Sequence, residues 1–132
     1  MADQTVPRQV VAAVRIAARP EALDDASWSA DATVLRLAAD EVLLLDALDA
    51  GAPEPDAIVF PDMSWVRFVL PAAAGSEVMA RAAAWPPPSR GLGQGMVAGI
   101  PVKLVVGETD WWFVVPAVVA DEFEERLREV VP

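Results

Sequence analysis

The strands predicted near the end of this chain carry apolar side chains on both faces. Residues 111–115 have the sequence Trp-Trp-Phe-Val-Val. Because successive side chains of a strand point to opposite faces, Trp112 and Val114 share one face and their apolar neighbours the other. The predicted strands 64–70 and 100–106 also have apolar residues on both sides. A sheet built from such strands needs cover on both faces, and this limits the possible folds more than any other feature.

Two segments have the pattern of helices, at about 74–84 and 116–130. The first is rich in alanine and places Glu77 four residues before Arg81, a favourable pair on a helix. The second repeats apolar residues every three or four positions, as expected for a helix with one buried side. Together with the strands, these segments predict an α+β fold with a mostly antiparallel sheet and two main helices.

Two helices cover only about one face of a sheet of five or six strands, so we expect the opposite face to be exposed. The candidate subunit interface on that face consists of Trp65, Val69, Trp112 and Val114. A buried tryptophan hides about 200 Å² of surface, so a patch with two of them can hold a partner chain. Two alternatives leave no open face: the sheet curls on itself, or segment 21–31 covers it.

The remaining segments are shorter. Residues 33–38 and 41–46 flank Ala39-Asp40 and predict a hairpin, and residues 9–18 predict the first strand. The glycine-rich segment 90–95 lacks the Lys-Ser/Thr of a phosphate-binding loop, and it predicts a flexible turn. A connection or a short helical turn is predicted for segment 21–31.

Length and composition exclude several classes of protein. A chain of 132 residues with 55% hydrophobic residues can fold as a single domain over residues 1–132. The chain has no cysteine and no histidine, which excludes disulfides, thiolate nucleophiles and imidazole bases. Its net charge of −10 repels nucleic acid and anionic membranes. The first residues, Met1-Ala2-Asp3-Gln4, do not resemble a signal peptide, so we expect a cytoplasmic location.

The acidic residues are concentrated in one part of the chain. From Asp40 to Asp62 there are seven acids and no lysine or arginine. Such a block is usually a solvated rim, and the alternative is a docking surface for a basic partner.

The residues give little support for catalysis. Adjacent acids such as Asp24-Asp25 are usually surface charges, and the single lysine, Lys103, lies in an alternating strand where it faces solvent. We therefore expect no catalytic residue and no metal ligand on this chain. A carboxylate ligand remains an alternative, for which Arg67 or Arg90 can act as the clamp.

Several weak features follow one another in a characteristic order: Asp62-Met63-Ser64, strand 66–70, helix 74–84, the Arg90-Gly91 turn, strand 100–106, and Trp112 to Pro116 before the last helix. This order resembles the gamma subunit of heterotetrameric sarcosine oxidase and related N-methyl amino acid dehydrogenases. That family is itself similar to the first domain of the folate-binding aminomethyltransferases. The resemblance is best over residues 58–131, and no single motif is specific. One position departs from the family pattern, because Trp65 stands where a histidine commonly follows the Asp-x-Ser element.

The resemblance implies a ferredoxin-like layer and a non-catalytic subunit that serves the assembly of a flavin oxidoreductase acting on N-methyl amino acids. It implies no cofactor on this chain, with FAD, FMN, NAD and tetrahydrofolate held by larger alpha-type and beta-type partner subunits. The residues themselves leave two other hypotheses open. One is a stand-alone domain that binds folate or another small ligand, and the other is a homodimeric interaction module.

Overall fold

The strands of this chain are divided between two antiparallel sheets. The computed structural model describes residues 6–47 and 50–131, so the N-terminal residues used to predict a cytoplasmic location lie outside it. In chain order the elements are β1 (Arg8–Val11), β2 (Ala13–Ala17), α1 (Pro20–Asp25), β3 (Thr33–Ala38), β4 (Glu41–Leu45), β5 (Ile58–Pro61), β6 (Trp65–Pro71), α2 (Ala72–Ala82), β7 (Gly91–Val97), β8 (Ile100–Val106), β9 (Asp110–Pro116), a 3-10 turn (Ala117–Val119) and α3 (Ala120–Val130). The predicted α+β class, with antiparallel pairing and two main helices, is confirmed.

The contacts divide the chain into two compact units, each with its own sheet. The first unit comprises the residues up to Val10 and those from Ser64 onward, and the second comprises Val11–Met63. The five-stranded sheet has the order β1-β6-β9-β8-β7, and the four-stranded sheet has the order β3-β4-β2-β5. That residues 1–132 form a single domain stays a prediction.

The core of the first unit lies between its sheet and the helices α2 and α3. Phe123 of α3 packs edge-on against Phe68 of β6, with ring centroids 5.4 Å apart, and against Phe113 of β9 at 6.2 Å. All three rings are fully buried. At the helix surface, Arg8 of β1 donates a hydrogen bond of 2.7 Å to Asp121, and this bond raises the pKa of the Arg8 guanidinium above its ordinary value. The guanidinium therefore stays charged and links β1 to the start of α3.

The second unit has a smaller core under the short helix α1. Leu23 of α1 packs against Val14, Ile16, Val42 and Leu44, which point to the same face of the four-stranded sheet. Trp28, which follows α1, also packs against this cluster. Segment 21–31, predicted to be a connection or a helical turn, therefore contributes to the core of the second unit.

Most predicted elements are confirmed, and several boundaries differ. The helix predicted at about 74–84 is α2, which spans Ala72–Ala82. The hairpin about Ala39-Asp40 has the predicted strands. The predicted strand 9–18 is instead two strands separated at Ala12, one in each sheet, and the carbonyl of Ala12 accepts hydrogen bonds from the N–H groups of Asp46 and Ala47. The last helix does not begin at Pro116, because that residue is extended and pairs with Trp65 at the end of β9.

The prediction of a flexible turn at residues 90–95 is wrong, because this segment forms most of the edge strand β7. Trp85, which follows α2, lies against the strand and donates its indole N–H to the carbonyl of Met96 at 2.8 Å. A Cβ atom at Gly95 would lie 2.5 Å from the indole ring, and one at Gly93 would lie 2.9 Å from Pro88. Gly93 and Gly95 therefore make room for the Trp-Pro-Pro-Pro segment, whereas Gly91, with a φ of 81°, starts the strand in a conformation that favours glycine.

Among the described residues, no helix is long and apolar enough to cross a membrane.

We predict that Gly95→Ala lowers the free energy of unfolding by about 2 kcal/mol, because the new methyl group collides with the Trp85 ring. Gly51→Ala is the matched control, since a Cβ atom there meets nothing within 4 Å. Urea unfolding of the two variants and the wild type measures the difference. Equal midpoints for Gly95→Ala and Gly51→Ala would show that Trp85 does not pack on the strand.

Candidate functional site

One face of the five-stranded sheet lies opposite α2 and α3, and it carries the residues predicted to meet a partner. Phe68, Leu104 and Phe113 point toward the helices. Their neighbours along the strands therefore point to the other face, which we call the tryptophan face. Its residues are Trp65, Arg67, Val69, Leu92, Gln94, Met96, Lys103, Val105, Trp112 and Val114.

Arg67 and Trp112 form a stacked pair on the tryptophan face. The Arg67 guanidinium carbon lies 4.3 Å from the centroid of the Trp112 ring. The side chain of Gln9 holds the guanidinium in place, because its Oε1 accepts hydrogen bonds from Nε at 3.0 Å and from Nη2 at 2.6 Å. A cation over an indole ring contributes about 0.5–1 kcal/mol at an exposed site.

Lys103 and Trp65 repeat this arrangement on the same face. Lys103 Nζ lies 5.1 Å from the Trp65 ring and donates a hydrogen bond of 3.1 Å to Gln94 Oε1. Gln94 and Lys103 are directly opposite each other on β7 and β8, so the strand register creates this contact. The prediction that Lys103 faces solvent did not include its contact with the Trp65 ring. Each of the two indole rings thus lies under a cation that is hydrogen-bonded to a glutamine.

The four residues of the predicted subunit interface differ in accessibility. Trp65 has 8% of its surface exposed and Val114 none, whereas Val69 and Trp112 are half-buried. The expectation of two exposed indole rings is therefore wrong for Trp65. That these four residues form a subunit interface stays a prediction, and Val69 and Trp112 are its accessible members.

A small cavity lies at the Trp65 end of the tryptophan face. It has a volume of about 190 Å³, and Lys103, Gln94, Met96 and two prolines line it together with Trp65. Ligand sites for drug-sized molecules usually measure about 300–1,000 Å³, so this cavity is too small for a folate. A larger cavity of about 540 Å³ in the second unit is lined by Trp28, two serines and several small residues, and none of its described lining residues is basic.

The two arginines proposed as a carboxylate clamp lie apart. Arg67 is on β6, and the exposed Arg90 precedes β7, three strands away or about 14 Å across the sheet. Neither arginine lines the two cavities described above. The structure thus does not bring Arg67 and Arg90 together, and ligand binding by either one stays a prediction.

Within residues 6–47 and 50–131, no group of three acidic side chains converges as a metal site. No charged residue among those described is buried as a whole, although the Glu54 side chain is only 8% exposed. The adjacent acids Asp24 and Asp25 are both exposed on α1. Acid–base catalysis by two carboxylates needs one of them in a less polar environment, and both of these acids are exposed to solvent.

Sequence reasoning missed an apolar patch on the second unit. Ile58, Phe60 and Met63 are 62%, 41% and 52% exposed. The first two lie on the edge strand β5, which the sequence analysis did not predict because the strand has only four residues. The available signal was the alternation of Ile58, Val59 and Phe60 before Pro61, a proline position typical of an edge strand.

The second unit also carries most of the negative charge. It has 11 acidic residues and three arginines, a net charge of −8 out of the −10 of the whole chain. Each arginine is already bound to an acid: Arg15 to Glu41 and Asp62, Arg19 to Glu54, and Arg36 to Asp24.

Comparisons with known proteins identify the fold. The chain matches no known family profile, and it matches no curated protein. Its α+β fold with two sheets is that of a chain in a solved oxidoreductase. This protein is the heterotetrameric sarcosine oxidase from Corynebacterium sp. U-96, in complex with pyrrole 2-carboxylate. The TM-score is 0.72, the sequence identity is 18%, and the match covers 98% of this chain and 85% of the other. The two chains thus share a fold and a similar length.

We predict that Arg67 and Trp112 stabilise the first unit as a pair, with a coupling energy of about 0.5–1 kcal/mol. A double-mutant cycle with Arg67→Met and Trp112→Leu, followed by urea unfolding, measures this coupling. The control cycle combines Arg81→Met with Trp112→Leu. Arg81 forms an ion pair with Glu77 on α2 and does not contact Trp112. A coupling no larger than in the control cycle would rule out a stabilising stack.

Proposed function

We propose that this chain is a gamma-type, non-catalytic subunit of a sarcosine oxidase-like heterotetrameric flavin oxidoreductase that acts on N-methyl amino acids. The observation that carries the proposal is the fold similarity over 98% of the chain to a chain of heterotetrameric sarcosine oxidase. In this proposal the chain serves the assembly of the complex in the cytoplasm, and larger alpha-type and beta-type subunits carry FAD, FMN, NAD and tetrahydrofolate.

The chemistry of the chain supports a role in assembly. It has no histidine and no cysteine, so the commonest general base and the commonest thiol nucleophile are missing from the sequence. Most of its basic side chains make local contacts, such as Arg67 with Gln9 and Lys103 with Gln94. Exposed apolar side chains on the second unit offer contact area for other chains.

We predict that the chain co-purifies with alpha-type and beta-type subunits of a sarcosine oxidase encoded in the same genome. Co-expression with a tag on this chain, followed by size-exclusion chromatography with light scattering, measures the assembly. The expected result is one complex that contains all the chains, absorbs as a flavoprotein and oxidises sarcosine. The isolated chain is expected to be colourless and to have no activity toward sarcosine.

Omission of this chain from the co-expression is the control, and we expect the larger subunits then to assemble poorly. If the tagged chain elutes alone as a colourless monomer, the proposal is wrong. The two remaining hypotheses have their own signatures: a change of tryptophan fluorescence on titration with tetrahydrofolate for ligand binding, and a stable dimer in light scattering for the interaction module.

A further inference from the structure

The apolar patch on the second unit lies at the edge of the four-stranded sheet. Strand β5 pairs with β2 on one side and is the last strand of the sheet on the other. We define the β5 patch as Ile58, Phe60 and Met63, the exposed apolar residues on and just after this strand. Ile58 and Phe60 share one face of β5, and together with Met63 they present on the order of 300 Å² of apolar surface in total, close to the largest apolar patch of a typical monomer.

The backbone of β5 is not suited to the addition of another strand. Asp62 donates its N–H to the carbonyl of Ala13 at 2.8 Å, so the hydrogen-bonding groups of Asp62 and Phe60 point toward β2. The outward groups belong to Val59 and Pro61, and proline has no N–H to donate. A partner therefore meets the side chains of the β5 patch and not a continuous row of backbone groups.

An acidic cavity lies next to this patch. Ile58 is opposite Ala17 on β2, and Ala17 lines a cavity of about 450 Å³ whose charged residues are Asp40, Glu54, Asp56 and Arg19. Glu54 has 8% of its side chain exposed and accepts a hydrogen bond of 3.0 Å from Arg19. Asp40 and Asp56 are exposed, so their carboxylates are the accessible charges of the cavity.

The negative charge around the β5 patch indicates which kind of protein surface can bind there. The second unit has a net charge of −8, and its three arginines are each bound to acids within the unit. A second copy of this surface would bring two strongly acidic units together, which is unfavourable. A protein surface with an apolar centre and flanking lysine or arginine side chains is complementary to the patch and the cavity.

We propose that the β5 patch and the adjacent acidic cavity dock a basic surface of the alpha-type or beta-type subunit, with apolar contacts to Phe60 and a lysine or arginine between Asp40 and Asp56. This inference rests on the proposed function. It deepens that function by naming the surface of this chain that meets the partner and the chemistry of the partner surface.

The test uses the co-expressed complex and measures the affinity of each variant for the alpha-type and beta-type subunits. Phe60→Ala is expected to weaken assembly about 30-fold or more, as for an aromatic residue at the centre of an interface. Ile58→Asp adds a negative charge to the most exposed residue of the patch, and it is expected to abolish assembly. The double variant Asp40→Asn with Asp56→Asn is expected to weaken assembly about 10-fold at low salt and to remove most of its salt dependence.

The controls are Val118→Ala, at a valine that is 91% exposed in the first unit, and Glu125→Gln, at an exposed acid of α3. Both are expected to change the affinity by less than about twofold. Thermal unfolding of each isolated variant verifies the fold, and Ile58→Asp provides a second variant if Phe60→Ala is unstable.

The outcomes separate the two proposals. If the wild type assembles and the patch variants bind as well as the controls, the docking surface is wrong and the proposed function stands. If only the Asp40 and Asp56 variant binds normally, the partner is not basic and the inference is overturned. A wild-type chain that does not assemble, or that dimerises through Phe60, contradicts the proposed function and the docking surface together.

Discussion

The antiparallel pairing of β6 with β9 is the contact on which the first unit depends. It runs through seven residue pairs, from Trp65 opposite Pro116 to Pro71 opposite Asp110. This register decides which side chains face the helices and which form the tryptophan face. A shift of β6 by one residue would place Phe68 away from Phe123 and Arg67 among the helices. The stacking of Arg67 on Trp112 is a consequence of the same register.

The two units differ strongly in net charge. The first unit has a net charge of −2 from nine acids and seven basic residues, whereas the second has −8. A basic molecule would therefore be attracted mainly to residues 11–63. The acid block from Asp40 to Asp62, which the sequence analysis described as a rim or a docking surface, belongs entirely to the second unit.

Local sequence patterns predicted most helices and strands. The features that they did not predict depend on contacts between residues far apart in the sequence. The hairpin about Ala39-Asp40 and the buried side of α3 follow from alternation and from helical spacing, which are local properties. The division of the first predicted strand at Ala12 depends on pairing with two different sheets, and nothing in residues 9–18 encodes it. Gly93 and Gly95 of β7 were misinterpreted because their role depends on Trp85, which lies ten residues before Gly95.

The candidate site was predicted only in part. Trp65 and Trp112 were correctly placed on one face, but the cations over them are set by pairing in the sheet: Arg67 comes from the strand beside Trp112, and Lys103 from two strands beyond Trp65.

Trp85 limits how the edge strand β7 can pair with another copy of the chain. Its indole N–H donates a hydrogen bond to the carbonyl of Met96, which points away from β8, and Ala83 forms an isolated bridge with Val97. Backbone groups at one end of this edge strand are therefore already hydrogen-bonded within the chain. Trp85 and Ala83 thus leave fewer free backbone groups at this edge for a strand of another molecule to pair with.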